Sequence, residues 1–558
     1  MTSSAGTFVP PTKRQIGLVM IGLVTGMFLA ALDQTVVATS IRTIGDDLNG
    51  LTVQAWVTTA YLIAATVSTP LYGKLSDIFG RKPLYFVALS LFVVGSGLAA
   101  VASTMYELAI YRFIQGAGGG GLMGLAIIIL GDVLSPRERT KYQAAFFVVF
   151  GVASVLGPVV GGFFAGTDTL LGIDGWRWIF LVNVPLGLGA LVLVMKVLNI
   201  PAHNHEARRI DWWGSAFLIS SLAPLLTVLE QGSEWGWTSP LTLGLLTLSL
   251  GSAVSFVWNE RRMGEDALIP LRMFQHRTVK VATIVNFIMG VAMFGGLAGL
   301  PLYLQISRGM TPTEAGLSML PFTFGIILVA GSSAQVIRRT GHYKSFPIAG
   351  VFLLLSGTLF LSRVEYTTPF VEVAFGAFLF GMGLGGLMQP LLLAVQNALP
   401  ARDNGAGTAS VIFFRQIGGS LGTAIFLSLL FSQVPTDISD AFAQTSTTPE
   451  FRQVIVDEAV TTDPLNAAVI DAINSGNVTS AEGSPLSLDD TSFVENLHPV
   501  LAAPFKSGFA DAIGRLLWWA SGIIVIALGV IVFLPSIPLR ETSGVEQMAL
   551  DRHKDASA

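Results

Sequence analysis

The sequence predicts an all-α, polytopic membrane protein, and three observations carry that expectation. Of 558 residues, 52% are hydrophobic and only 12% charged, with a mean hydropathy of +0.65, whereas a soluble domain carries about 25% charged residues. The apolar residues are grouped in blocks of about 20, the length that crosses a hydrocarbon core. The Lys and Arg residues fall in alternate connecting segments, the pattern that orients membrane helices. The alternation expected of a transmembrane barrel is absent, and helices satisfy every backbone group within lipid.

The apolar runs begin near Ile16, Gln54, Pro83, Glu107, Tyr142, Trp178, Trp212, Leu241, Val279, Glu314, Phe346, Phe370, Gly405 and Ala510, which predicts fourteen helices. The first run follows Lys13 and Arg14 and lacks a small-residue cleavage pattern, so it reads as a retained helix rather than a signal peptide. With the N-terminus inside, the inner segments hold most of the 32 bases, among them Lys74, Arg81, Lys82, Arg137, Arg139, Lys141, Arg261, Arg338, Lys344 and Arg540. The outer loops hold only Arg42, Arg308, Arg363, Arg452 and Lys506. Both termini are therefore expected in the cytoplasm, with the chain in the plasma membrane.

The domain order follows. A tail, 1–15, leads into a six-helix bundle, 16–200. Two inserted helices with an inner linker occupy 201–278, and helices 9 to 13 occupy 279–434. An acidic outer segment, 435–508, precedes the last helix at 509–536 and a cytoplasmic tail at 537–558. In the acidic segment Phe451, Ile455 and Ala459, and then Leu465, Val469 and Ile473, recur at helical spacing. Two short amphipathic helices are one reading and a disordered acidic loop the other; the lone sequon at Asn477 carries little weight. Two six-helix halves around a central pathway is a transporter plan.

Charges inside the spans point to chemistry. Asp33 lies in the first run and Arg112 in the fourth, which travels the opposite way. At 1.5 Å per residue both sit roughly 7–10 Å outward of the midplane, so the two can pair. An intramembrane carboxylate is costly and marks proton relays more often than static staples, which reads as proton coupling. Arg415, near the middle of the thirteenth run, has no evident counter-charge; a water-filled cavity, a substrate or lipid head group, and a helix C-terminus are its possible partners. The string Gly73-Lys74-Leu75-Ser76-Asp77-Ile78-Phe79-Gly80-Arg81-Lys82 is a tight charged loop between two spans and reads as a latch between moving helices. The fourth run is glycine-rich. The fifth carries Gly151, Gly157, Pro158, Gly161 and Gly162, with a Gly157-x-x-x-Gly161 packing face and a proline that removes a backbone donor.

The same reading excludes several classes. There are no cysteines, hence no disulfide or thiolate metal site. No Walker sequence exists, so ATP is not the expected energy source. His203 and His205 sit in a polar inner loop without ligand spacing. No nucleophile–base constellation and no basic stripe for nucleic acid stands out. No cofactor or metal is expected.

Four strings carry a resemblance: Gly73 to Lys82; Leu32-Asp33-Gln34-Thr35-Val36-Val37; Arg112-Phe113-Ile114-Gln115-Gly116; and Gly151 through Gly157-Pro158 to Gly162. Trp176-Arg177-Trp178-Ile179-Phe180-Leu181-Val182-Asn183-Val184-Pro185 adds a fifth. Together they resemble the major facilitator superfamily, specifically its fourteen-helix drug:proton antiporter family (the EmrB/QacA type). The resemblance implies the major facilitator fold, two six-helix bundles with two inserted helices. It makes Asp77 and Arg81, with Gly73, Gly80 and Lys82, the cytoplasmic latch. It makes Arg112 the arginine of proton transfer, Asp33 the titrating carboxylate, and Gly157-Pro158 the element of export. One departure is that Arg338 stands where the second half would carry its latch acid.

The expected function is proton-driven export, by alternating access, of amphipathic, cationic or neutral drug-like compounds by a monomer surrounded by lipid. Tyr61, Gln115, Asn286, Gln389, Arg415 and Gln416 are candidate walls of the substrate cavity, a structural hydrogen bond being the alternative for each. The competing functions are export of one endogenous metabolite, lipid or self-made antibiotic, and a non-transporting receptor that uses the acidic outer segment.

Overall fold

The computed structural model describes residues 13–48, 55–198, 210–400, 403–474 and 493–540. The first half runs through α1 (Lys13–Asp47), α2 (Ala55–Phe79), α3 (Arg81–Ala99), α4 (Met105–Val133) and α5 (Pro136–Ala165) to a broken helix, α6 (Trp178–Leu181) and α7 (Asn183–Val197). The inserted pair is α8 (Trp212–Trp235) and α9 (Pro240–Met263). The second half is α10 (Arg277–Leu302), α11 (Pro312–Ser318), α12 (Leu320–Thr340), α13 (Ser345–Leu361), α14 (Phe370–Ala398) and α15 (Asn404–Thr445). It is completed by α20 (Pro499–Ile531), after four short outer helices: α16 (Pro449–Val454), α17 (Glu458–Thr461), α18 (Pro464–Asn474) and α19 (Phe493–Asn496). Ten helices among the described residues are long and apolar enough to cross a membrane.

Side-chain caps set several of the starts. Thr104 accepts from the Glu107 amide at α4, Ser135 from the Glu138 amide at α5, and Thr311 forms a capping box with Glu314 at α11.

Glycine then sets the packing. α4 lies between α2 and α3 at backbone contact: a Cβ on Gly116 would stand 2.8 Å from the Tyr61 Cα, and one on Gly118 would stand 2.9 Å from the Phe92 Cα. α14 lies the same way between α12 and α13, with Gly381 and Gly385 against the backbone of Phe322 and Ile326, and Gly383 against Leu354. The α1–α5 contact of the first half, where Gly157 and Gly161 meet Thr35 and Thr39, is matched by the α10–α15 contact. There Gly418 and Gly422 meet Phe287 and Val291. The halves are thus built to one plan.

A side chain at Gly116 would force α2 off α4, and overpacking of this kind costs about 1–3 kcal/mol. Gly116→Val should therefore lower the thermal unfolding midpoint in detergent. Gly162→Ala should not, because nothing lies within 4 Å of a Cβ there.

The inserted helices are held at the end where Asp211 meets Asn259. Asn259 donates to both Asp211 oxygens, at 2.9 and 2.8 Å, and Asp211 also accepts from the Gly214 amide at 2.7 Å. α8 packs on α2 and α15, while α9 leaves Leu250, Val254 and Trp258 exposed, an apolar face suited to lipid.

Two boundaries differ from expectation. α15 continues past residue 434 to Thr445, and α20 begins at Pro499 rather than 509. The reason is a ring cluster beyond the expected ends: Phe442 meets Phe505 edge-on at 5.1 Å and Phe451 at 6.3 Å, and Phe493 meets Phe505 at 5.3 Å. The acidic segment folds over it as α16 to α19, with Phe451 and Val469 buried. Asn477, Glu482, Asp489 and Asp490 lie outside the described residues, as do both tails beyond 13 and 540, His203, His205 and the Arg208-Arg209 linker. The exception to the all-α expectation is a two-residue hairpin, Thr169–Leu170 with Ile173–Asp174, turned through Leu171 and Gly172 at positive φ.

Candidate functional site

Three features converge between and beneath the halves: a buried polar network, a central cavity and a charged cluster at one end of the bundle.

Asp33 and Arg112 meet directly, as their matching depth predicts, and both side chains are almost wholly buried. Arg112 donates to Asp33 Oδ2 and, at 2.8 Å, to Gln115 Oε1. Asp33 Oδ1 accepts from Gln115 Nε2 at 2.8 Å and from Asn183 Nδ2 at 3.1 Å. Ser96 joins the two amides: Gln115 Nε2 lies 3.0 Å and Asn183 Nδ2 3.1 Å from its Oγ. The Tyr61 ring lies under the guanidinium at 4.3 Å, a cation–π contact in a dry setting. Residues of α1, α2, α3, α4 and α7 thus surround one carboxylate. Among the described residues Arg112 is the single base in contact with it, and Arg112 Nε has no partner.

Tyr61 and Gln115, expected as cavity walls, are therefore parts of this network. Sequence reasoning missed Ser96 and Asn183. A lone serine in an apolar helix gives no signal, but Asn183 stands in the Trp176–Pro185 string. That string also ties neighbouring helices together. Trp176 donates to Asp47 at 2.9 Å, and Arg177 donates to the carbonyls of Ala100 and Ala102 at 3.0 and 2.9 Å, which anchors the outer ends of α1 and α3.

The central cavity, about 260 Å³, lies between the halves. Leu62, Leu226, Leu229, Met293, Phe322 and Met388 give it apolar walls, and Gln34, Thr35, Thr59, Arg415, Gln416 and Ser420 give it polar ones. Arg415 and Gln416 occupy the expected place. Asn286 and Gln389 do not: both are buried outside the lining, Asn286 donating to the Ala282 carbonyl of its own helix at 2.9 Å. Leu226 and Leu229 bring the inserted α8 into the wall. The α1 residues beside Asp33, namely Ala31, Gln34 and Thr35, line the cavity, while Asp33 faces Arg112.

α5 supports α1 at this level. Thr35 Oγ1 donates to the Ala153 carbonyl at 3.0 Å, and Ser40 Oγ to the Gly161 carbonyl at 3.1 Å. Gly157 and Gly161 thus face α1, Gly151 faces Thr323 of α12, and Gly162 faces open space. α5 continues without interruption through Pro158.

The charged cluster is centred on Arg81. Its guanidinium lies 2.6 Å from Asp77 Oδ1 and 2.7 Å from Asp132 Oδ2, and it also donates to Ser76 Oγ; all three charged groups are buried. Gly80 carries φ +92° and ψ 156°, a conformation only glycine adopts readily, and so lets α2 turn directly into α3. Lys82 follows Arg81 in the first turn of α3, half-buried. The cluster abuts the second half. Gly405, in the first turn of α15, lies so close to the Asp77 carboxylate that a Cβ there would overlap it, and a Cβ on Gly73 would overlap Ala409. A carboxylate at a helix N-terminus is favoured by the helix dipole.

Arg139 makes a second bridge, donating to Gln396 of α14 and to the carbonyls of Gly131 and Leu134. Lys74 donates to the Glu265 carbonyl at 2.9 Å. Asp132 and Arg139 were not anticipated as latch residues. Arg338 and Arg339 of the second half are exposed, so the buried acid–base cluster belongs to the first half among the described residues.

Bulk at position 73 should wedge these ends of the two halves apart. In Gly73→Val a cysteine at Ala409, which is fully buried here, should react with a membrane-impermeant maleimide from the cytoplasmic side. It should stay protected when Gly73 is intact. The absence of native cysteines makes that label specific.

A helical, multi-pass membrane protein with two like-built halves around a cavity is a transporter by architecture. Residues 23–423 match the Major Facilitator Superfamily, and the chain belongs to that superfamily, whose members are transporters and not enzymes. It is similar to the multidrug transporter protein MdtP of Bacillus subtilis, with 34% identity over 407 residues, 73% of either chain. It is also similar to multidrug resistance protein 3 of the same organism, with 32% identity over 426 residues, 76% of this chain and 81% of that one. Among solved structures, the proton:xylose symporter XylE matches with a TM-score of 0.56 at 14% identity, covering 97% of this chain and all of that one. At that identity the likeness concerns the fold alone.

Proposed function

We propose that this chain is a fourteen-span, proton-coupled exporter of amphipathic organic compounds, of the drug:proton antiporter type. It would act in the plasma membrane with both termini cytoplasmic. The observation that carries the reading is Asp33, a buried intramembrane carboxylate whose neighbours on α1 line the cavity. Helices at each of the fourteen apolar runs support the span count, and relatives bearing multidrug names support export.

The proposed cycle couples two events through α1. While Asp33 is ionised, Arg112, Gln115 and Asn183 hold α1 against α4 and α7. Protonation removes the charge that Arg112 neutralises and weakens those bonds, since charge-assisted hydrogen bonds are the stronger ones. α1 then shifts against the small-residue face of α5, and the cavity wall at Ala31, Gln34 and Thr35 moves with it. On the cytoplasmic side the Arg81 cluster and the Arg139–Gln396 bridge hold the halves together. Opening inward would break both. The apolar wall holds greasy bodies by area rather than by specific bonds. Of the cationic or neutral compounds expected, a cationic one finds no carboxylate among the described lining residues.

The test is accumulation of an amphipathic dye in inside-out vesicles energised by an imposed proton gradient. Accumulation that a protonophore collapses is expected; none above protein-free vesicles would refute the proposal.

A further inference from the structure

Among the described residues of the cavity wall, Arg415 is the one charged group. Among the described residues no hydrogen bond, ion pair or ring contact engages the Arg415 guanidinium. The neighbouring Gln416 Oε1 is also buried without a partner. Ser420, one turn further along α15, and Thr423 line the same cavity. No Asp or Glu does. Asp33, the carboxylate of α1, accepts instead from Arg112, Gln115 and Asn183.

A guanidinium held in a low-dielectric wall without a counter-ion pays a desolvation cost that an incoming anion relieves. Its planar fork matches the two oxygens of a carboxylate or sulfonate. A cationic ligand in the same space would meet an unscreened like charge. Leu62, Leu226, Leu229, Met293, Phe322 and Met388 are left to hold an apolar body beside that head group.

We infer that the cavity selects amphiphiles bearing a single anionic group, with Arg415 as the specificity-determining residue that receives it. Calling such a ligand a substrate rests on the export reading; the binding preference does not.

The test uses naphthaleneacetate, its methyl ester and the matching naphthylethylamine. Equilibrium binding is measured on the full-length protein in lipid nanodiscs, with empty nanodiscs subtracted. The carboxylate should bind about tenfold or more tighter than the amine. Arg415→Gln should remove at least about tenfold of carboxylate affinity and leave the ester within about twofold. Arg415→Lys keeps the charge but not the fork. It should weaken carboxylate binding with ester binding intact, and it serves where the glutamine variant loses ester binding as well. An amine that binds as tightly as the carboxylate, carboxylate binding indifferent to Arg415→Gln, ester and carboxylate weakening in step in the lysine variant, or no binding at all would each overturn the assignment. Proton-driven movement of the carboxylate in liposomes is scored separately. Binding without movement would refute export and leave the assignment of Arg415 standing.

Discussion

Asp33→Asn should abolish proton-driven accumulation while leaving the protein inserted in the membrane. The substitution is nearly isosteric, so Gln115 and Asn183 keep a partner at the same place, but the group no longer gains or loses a proton. Transport down a substrate gradient should therefore persist, because the cavity wall is untouched. Stability should fall as well. Removing one member of a buried ion pair costs about 3–5 kcal/mol when the other charge is left unpaired. Here the Gln115 oxygen at 2.8 Å and the Tyr61 ring at 4.3 Å remain with Arg112, which places the loss at or below the lower end of that range. Accumulation against a gradient and equilibration down it, measured on the same liposomes, separate lost coupling from lost folding. Unchanged accumulation in the variant would remove Asp33 from the mechanism.

Arg81→Ala should have the largest effect on conformation. It leaves two buried carboxylates, Asp77 and Asp132, without the guanidinium that joins them. The cost of an unpaired buried charge, about 3–5 kcal/mol, falls on the cytoplasmically closed state that contains the cluster. A shift of that size is enough to reverse a two-state equilibrium, since 1.4 kcal/mol is tenfold. The cysteine reporter at Ala409 should become reactive from the cytoplasm in Arg81→Ala, as in Gly73→Val. Asp132→Asn, which leaves Asp77 paired, should open it less. A protected reporter in Arg81→Ala would show that the cluster does not hold the closed state.

Much of this was readable beforehand, and the physical reason is specific in each case. The Asp33–Arg112 pair followed from the fixed rise of a helix and the scarcity of charge in lipid. The Gly157-x-x-x-Gly161 spacing marked a packing face, and the structure supplies α1 as its partner. The choice of wall residues from polarity alone placed Arg415 and Gln416 but not Tyr61, Gln115, Asn286 or Gln389. Polarity does not reveal which face of a helix a side chain occupies, and Gln115 lies three residues after Arg112, on the same face, where the two meet. Asp132 and Arg139 flank the end of α4 and resemble surface charges in the sequence, because their burial depends on partners far along the chain, Arg81 and Gln396. The ends of α15 and α20 were drawn too short because the apolar runs break there, at Pro435 and Asp437 in the one and at Lys506 and Ser507 in the other. Packing of Phe442 against Phe505 carries both helices further.

The most direct test of the central claim is proton movement driven by substrate. Purified protein in liposomes carrying a trapped pH indicator is given an outwardly or inwardly directed substrate gradient with no proton gradient imposed. Protons should move opposite to the substrate, reversing when the gradient is reversed, and Asp33→Asn should show substrate movement without the proton signal. Substrate movement in the wild-type protein with no proton counterflow, or a counterflow that survives Asp33→Asn, would contradict the account.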